Sequence, residues 1–332
     1  MTTLPTRTLG RTGREVGIVG LGTWQLGADW GEVDDAQAAG VLHAALDAGV
    51  TFLDTADVYG DGRSEQRIAA ILDERGRPDD VVVATKVGRR ADPHVPEAFT
   101  LEALRGWTDR SRRNLGVDRL DLVQLHCPPT PVFGDERVFD ALDTLVDEGA
   151  LAAYGVSVET RAEALTAIAR PGVASVQIIL NPLRMAPVDD VLPAARAAGV
   201  GIIVRVPLAS GLLSGRYTRA TTFPADDHRN YNRHGEAFDV GETFAGVPFE
   251  VGIDAAEEFA GLAPEGSTPA QLALRWILDQ EGVTTVIPGA RSVEQVAGNV
   301  AAATLPALDP DLVAALRDLY DRTARPHVHE RW

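Results

Sequence analysis

Eight short apolar, β-branched runs alternate with stretches of helical period, and no linker interrupts them. That alternation predicts an α/β chain folded as a single (β/α)8 TIM barrel over residues 1–332. The runs are continuous rather than alternating, which suits strands of a parallel sheet buried on both faces. With 332 residues, 45% of them hydrophobic, the chain can bury a core of that size.

The expected strands are residues 17–22, 51–54, 81–86, 120–126, 152–158, 175–181, 201–207 and 284–289. Between and after them lie the expected helices. Residues 34–49 place Ala38, Val41, Leu42, Ala45 and Leu46 on one face. Residues 64–76 and 99–116 each end in a glycine stop, the second with basic residues in its last turns. Residues 135–149, 160–170, 187–199, 267–282 and 292–303 complete the set. Three pieces fall outside the alternation. Residues 7–16 read as an N-terminal hairpin, and 309–323 as an extra C-terminal helix. The segment 208–266, after strand seven, is far longer than an ordinary βα loop, with 253–263 helical in pattern. Its Phe223, Tyr231, Phe238, Phe244 and Phe249 favour a lid or clasp over disorder.

Composition narrows the function. A net charge of −17 repels phosphate backbones, so nucleic acid is an unlikely partner. There is no apolar window long enough to span a membrane, and MTTLPTRTLGRTGREV lacks the apolar region of a signal peptide. Cys127 is the one cysteine, which fits a cytoplasmic protein. No metal-ligand cluster is legible, and the His327–His329 pair reads as a flexible end.

Among 31 basic residues there is one lysine, Lys86, at the end of the third expected strand. In a (β/α)8 barrel the C-terminal strand ends form the mouth of the site. Asp54, Lys86, His126, Ser157, Gln177, Asn181 and Arg205 fall there, with Tyr59 just beyond Asp54. A phenol has a pKa of about 10, and bringing it to roughly 7.5 takes about 3.4 kcal/mol. One ammonium about 4 Å away supplies roughly 4 kcal/mol at an effective dielectric of 20. Asp54 would hold Lys86 charged, Lys86 would tune Tyr59, and His126 would orient a substrate oxygen. Such a unit moves a proton at an oxygen, as when a carbonyl becomes an alcohol. The hydride must come from elsewhere, and the first strand, GIVGLGTWQLG, does not have the GxGxxG spacing.

Asp54, Tyr59, Lys86 and His126 on these strand ends resemble the catalytic tetrad of the aldo-keto reductases. GLGTWQLG, DTADVYGDGRSE, ATKVG, LDLVQLH, VQIILN, PLASGLLSGRY and VIPGARSVEQVAGN extend the similarity along most of the chain. The resemblance implies an NADPH-dependent oxidoreductase that interconverts a small aldehyde or ketone and its alcohol, with Tyr59 as proton donor in reduction. It implies NADP(H) held in extended form without a Rossmann fold. Contacts are implied for Gly22, Thr23 and Trp24, for Ser157, Gln177 and Asn181 at the carboxamide, and for Pro288 and Gly289. Leu208, Ser210, Gly211 and Leu212 resemble the loop over the pyrophosphate. Arg291 resembles a 2′-phosphate contact, and Gln295 and Asn299 resemble adenine-side contacts. Ser292 to Gln295 also reads as a helix capping box. Arg205 stands where many members stack a tyrosine on the nicotinamide, and its charge should disfavour the oxidised ring. Trp24 and Trp30 are expected on the substrate side. A sugar or polyol dehydrogenase would use the same residues, and a non-catalytic cofactor-binding sensor or auxiliary subunit would share the fold.

Overall fold

The computed structural model describes residues 4–27 and 33–332, so Trp30 lies outside the described residues. A hairpin of β1 (Thr6–Thr8) and β2 (Glu15–Gly17) comes first. The barrel strands follow: β3 (Leu21–Gly22), β4 (Phe52–Asp54), β5 (Val82–Val87) and β6 (Leu122–His126), then β7 (Tyr154–Ser157), β8 (Val173–Ile179), β9 (Gly201–Arg205) and β10 (Val283–Val286). Each is parallel to the next in chain order. Parallel bridges Val19↔Val286 and Gly22↔Gly289 bring the first strand against the last, with Gly20 N–H donating to Val286 O at 2.8 Å.

Seven of the eight expected strands lie close to their expected bounds, and all eight expected helices are present. The outer ring is α1 (Asp35–Asp47), α2 (Arg63–Glu74), α3 (Leu101–Leu115), α4 (Glu136–Asp147), α5 (Arg161–Ile168) and α6 (Val191–Ala198), joined later in the chain by two more helices. The long segment after β9 contributes the short α7 (His228–Tyr231) and α8 (Phe249–Gly261) before α9 (Pro269–Leu278). The chain ends through α10 (Val293–Ala301), α11 (Pro310–Arg322) and α12 (Arg325–Val328). Local chemistry sets the helix ends. Thr160 with Glu163, and Thr268 with Gln271, form capping boxes on α5 and α9. Gly116 ends α3 in the left-handed conformation, at φ 65°.

The interior of the barrel is a core of its own. Phe52, Val82, Ala84, Leu122, Ile203 and Ile287 meet there with Leu9 and Val16 of the hairpin, which plugs the end away from Asp54 and His126. Gly10, at φ +49°, lies against the bottoms of β8 and β9, where a side chain would collide with Ala174 O and Gly201 N. The plug leaves the C-terminal strand ends as the accessible face.

Three expectations change. The run 17–22 is not one strand: Gly17 pairs in the hairpin, and only Leu21–Gly22 pairs with β4. Gly20 is pressed on Phe52, so the chain there passes edge-on with few ladder bonds. The last residues are not a loose end. Val328 and Trp332 are buried, and the His329 ring bonds the Tyr320 hydroxyl at 2.9 Å. At α10, Ser292 caps Gln295 N–H, but the Gln295 side chain accepts from Arg291 N–H, so the reciprocal half of the box is displaced by one residue.

Gly10→Ala should lower the unfolding midpoint strongly, since it meets both backbone collision and an unfavourable φ. Gly106→Ala, inside α3 with open space around it, should raise stability by about 0.5–1 kcal/mol. Urea denaturation measures both, and a Gly10→Ala protein as stable as the parent would contradict the plug.

Candidate active site

The parallel register assembles the site. Asp54 at the end of β4 pairs with Ala84 on β5, and Lys86 on β5 pairs with Gln124 on β6. His126 pairs with Ser157, and Ser157 with Gln177. Tyr59 arrives by the turn after β4, where backbone meets backbone. A Cβ on Gly27 would stand 2.7 Å from the Tyr59 carbonyl carbon and 2.8 Å from its Cβ. Glycine at 27 therefore fixes how closely the first βα loop packs against Tyr59.

Lys86 is 1% exposed, and its ammonium has three acceptors for three protons. Nζ donates to Asp54 Oδ1 at 2.5 Å, to Thr55 O at 3.0 Å and to the Tyr59 hydroxyl at 3.3 Å. Burial works against its charge, but Asp54 and Tyr59 more than offset this, so the ammonium is held above its ordinary pKa. The second Asp54 oxygen accepts from Gln177 Nε2 at 2.7 Å and from Gln124 Nε2 at 3.3 Å. Gln177 thus fixes the carboxylate, a task not anticipated from its position. Gln124 was legible only as a polar residue inside an apolar strand.

From sequence, Lys86 is expected to bring Tyr59 down toward neutrality. In the structure burial pushes the phenol above its ordinary value; Lys86 pulls the other way and Asp54 adds to the rise. With a carboxylate 2.5 Å from the ammonium, much of the ammonium's field is cancelled before it reaches the phenol. Tyr59 rests as a proton-bearing donor. Burial, with the charges of Arg89, Lys86 and Arg205, drives the His126 imidazole well below its ordinary pKa. The His126 ring centroid lies 5.9 Å from that of Tyr59, and Trp24 stacks on Tyr59 at 6.0 Å. His228 and Phe238 of the long loop pack on Trp24 at 4.9 and 5.9 Å, so that loop covers the mouth.

A cleft of about 820 Å³ opens from this point. Asp54, Tyr59, His126, Ser157, Gln177 and Arg205 line one part. Gly22, Thr23 and Trp24 line it from the first strand end, and Pro288, Gly289, Arg291, Gln295 and Asn299 from the last. Leu208, Ser210 and Gly211 complete the expected set. Ala209, Ser210 and Gly211 are consecutive left-handed residues, at φ 47°, 53° and 98°, so this turn is tightly coiled. Two expected contacts fall elsewhere. Asn181 is fully buried, donating to Val206 O at 2.9 Å and accepting from Leu183 N–H at 2.9 Å. Leu212 is in the core, packed over Gly252 of α8. Arg216, Arg229 and Glu242 line the cleft without having been singled out in the sequence. Burial pushes the Cys127 thiol up to about 12, which disfavours the thiolate form. Cys127, Glu159 and Glu242 place ligand-type atoms within 4.8 Å, but Arg89 and Arg205 already supply the cations those carboxylates face.

The chain belongs to the aldo/keto reductase family, whose sequence profile matches residues 18–321. It is 31% identical to the aldo-keto reductase YhdN of Bacillus subtilis over 293 residues, 86% of this chain and 84% of that one. A glycerol dehydrogenase from Gluconobacter oxydans superposes with a TM-score of 0.76 at 29% identity, covering 99% of this chain and 97% of its own. An aldo-keto reductase from Klebsiella pneumoniae in complex with NADPH gives 0.70 at 26%, covering 96% of each. The chain is an oxidoreductase by family, and no helix among the described residues is long and apolar enough to cross a membrane.

Because its pKa is lowered, His126 should stay neutral as pH falls through the ordinary imidazole value of 6.5. Histidine ring 15N shifts, assigned with a His126→Asn variant, should show the His126 imidazole still neutral at pH 6.5. A half-protonated His126 at that pH would contradict the electrostatic reading of the site.

Proposed function

We propose that this protein is an NADPH-dependent oxidoreductase that interconverts a small aldehyde or ketone and the corresponding alcohol, in the cytoplasm. The observation that carries this reading is the Lys86 ammonium fixed between Asp54 and the Tyr59 hydroxyl, beside neutral His126, at one part of a large cleft. The cleft suits an extended dinucleotide. The coiled turn at Ala209 to Gly211 brings backbone close to it, and Arg216 and Arg291 line it with cationic groups suited to phosphates, while the charge of Arg229 is already met by Asp227. Ser157 lines the same part as Tyr59, with a hydroxyl suited to an amide.

When bound, the reduced nucleotide supplies a hydride to the carbonyl carbon. Tyr59 gives its proton to the oxygen that gains negative charge. Lys86, at 3.3 Å, steadies the phenolate left behind, and the Asp54 bond keeps that lysine charged throughout. His126, neutral and buried, offers a hydrogen bond rather than a charge, so it orients the oxygen without competing for the proton. In the reverse direction the phenolate takes the proton of the alcohol. A polyol dehydrogenase reading rests on the same groups and is favoured by the likeness to the glycerol dehydrogenase.

Tyr59→Phe and Lys86→Met should each lower carbonyl reduction by roughly 10²–10⁴-fold. Both should keep NADPH affinity nearly unchanged. Stopped-flow oxidation of bound NADPH with a panel of aldehydes, and NADP⁺ reduction with polyols, measures this and the preferred direction. Full turnover in either variant would refute the roles of Tyr59 and Lys86, and tight binding without turnover on any substrate would favour a sensor.

A further inference from the structure

Four charged side chains from four parts of the chain meet beside Tyr59's part of the cleft. Arg205 ends β9, Glu159 follows β7, Arg89 follows β5, and Glu242 comes from the long loop. Arg205 Nη2 lies 2.9 Å from Glu159 Oε2, and Nη1 lies 3.7 Å from Glu242 Oε2. Arg89 pairs with Glu242 Oε1 and stands 3.8 Å from Glu159 Oε1. Arg205 is fixed further by a 3.0 Å bond to Val158 O.

Arg205 and Glu242 line the cleft together with Tyr59 and His126. A hydride donor must reach the carbon whose oxygen faces Tyr59, so its ring has to lie in this part of the cleft. The reduced ring is neutral and the oxidised ring is cationic. An uncompensated guanidinium would therefore repel one form and ignore the other. Glu242 stays ionised: burial alone would raise its carboxyl, but Arg89 and Arg205 override this and hold it at about 2. Burial pushes the Glu159 carboxyl up, against the pull of Arg205 and with added repulsion from Glu242. Of the two carboxylates that face Arg205, Glu242 is the one that lines the cleft. Its backbone is tied to the turn at the cleft, for Ser210 Oγ donates to Glu242 O at 3.2 Å and accepts from Phe244 N–H at 3.1 Å.

We propose that Glu242 determines how the cleft discriminates between oxidised and reduced nucleotide: paired with Arg205, it offsets the positive charge nearest the ring and lets NADP⁺ bind beside it. The proposal rests on the NADP(H) reading of the cleft and adds a residue from the long loop to it. It also changes the expectation for Arg205, whose charge disfavours the oxidised ring only when its partner is removed.

Titration of intrinsic fluorescence with NADP⁺ and with NADPH gives both dissociation constants. In Glu242→Gln the ratio of the NADP⁺ constant to the NADPH constant should rise roughly tenfold, about 1.4 kcal/mol. The rise should be larger when Glu159→Gln is added, because Glu159 can otherwise ionise in its place. Arg205→Gln should lower the ratio, and Arg205→Gln with Glu242→Gln should return it to within roughly twofold of the parent. A merely structural role for Glu242 would weaken both nucleotides alike, so an unchanged ratio in the single and double carboxylate variants would overturn the proposal. A parent protein that binds neither nucleotide would overturn the NADP(H) reading itself, and Glu242's role with it.

Discussion

Everything at the mouth of this barrel is arranged around one ammonium group. Lys86 has three protons and three acceptors, supplied by Asp54, the Thr55 carbonyl and Tyr59. A buried cation is tolerable only when it is paired and hydrogen-bonded. The pairing sets demands on the surrounding chain. Asp54 needs its other oxygen satisfied, and Gln177 and Gln124 do so from two further strands. Tyr59 needs close backbone packing, which Gly27 permits. An arginine could not replace the lysine, since a planar fork cannot direct three bonds from a single nitrogen.

A second electrostatic unit governs the cover of the site. The long loop after β9 is tied down over a short stretch near its middle, at Asp239 and Glu242. Glu242 joins it to Arg89 and Arg205, and the Trp332 indole reaches Asp239 at 2.9 Å. The Arg184 guanidinium stacks 4.6 Å from the Trp332 ring. The C-terminal residues are therefore part of the structure that shapes the cover. Phe223, Phe244 and Phe249 supply its apolar interior.

Much of this was legible in the sequence, for reasons that also explain what was not. Strands such as 81–86 and helices with caps such as Thr160 carry their signal locally, in apolar runs and side chain–backbone bonds. Asp54, Tyr59, Lys86 and His126 were legible because a parallel barrel collects its strand ends at one face. The tail looked loose because His327 and His329 are polar, although Val328 and Trp332 beside them are buried apolar anchors. Asn181 and Leu212 lay next to cleft residues in sequence, but their side chains turn into the core. Glu242, Glu159 and Arg89 have no periodic signature at all. Their roles depend on long-range ion pairs across 153 residues in one case and a few strands in the others.

Lys86 is the one lysine in the chain, so selective 15N-lysine labelling yields a single side-chain signal. Its Nζ should give an ammonium resonance that stays charged to at least about pH 10. The signal should move when Tyr59 is replaced by Phe, because a direct donor–acceptor contact is lost. A neutral amine near pH 7, or a resonance indifferent to that substitution, would contradict the placement of a fixed positive charge against the tyrosine.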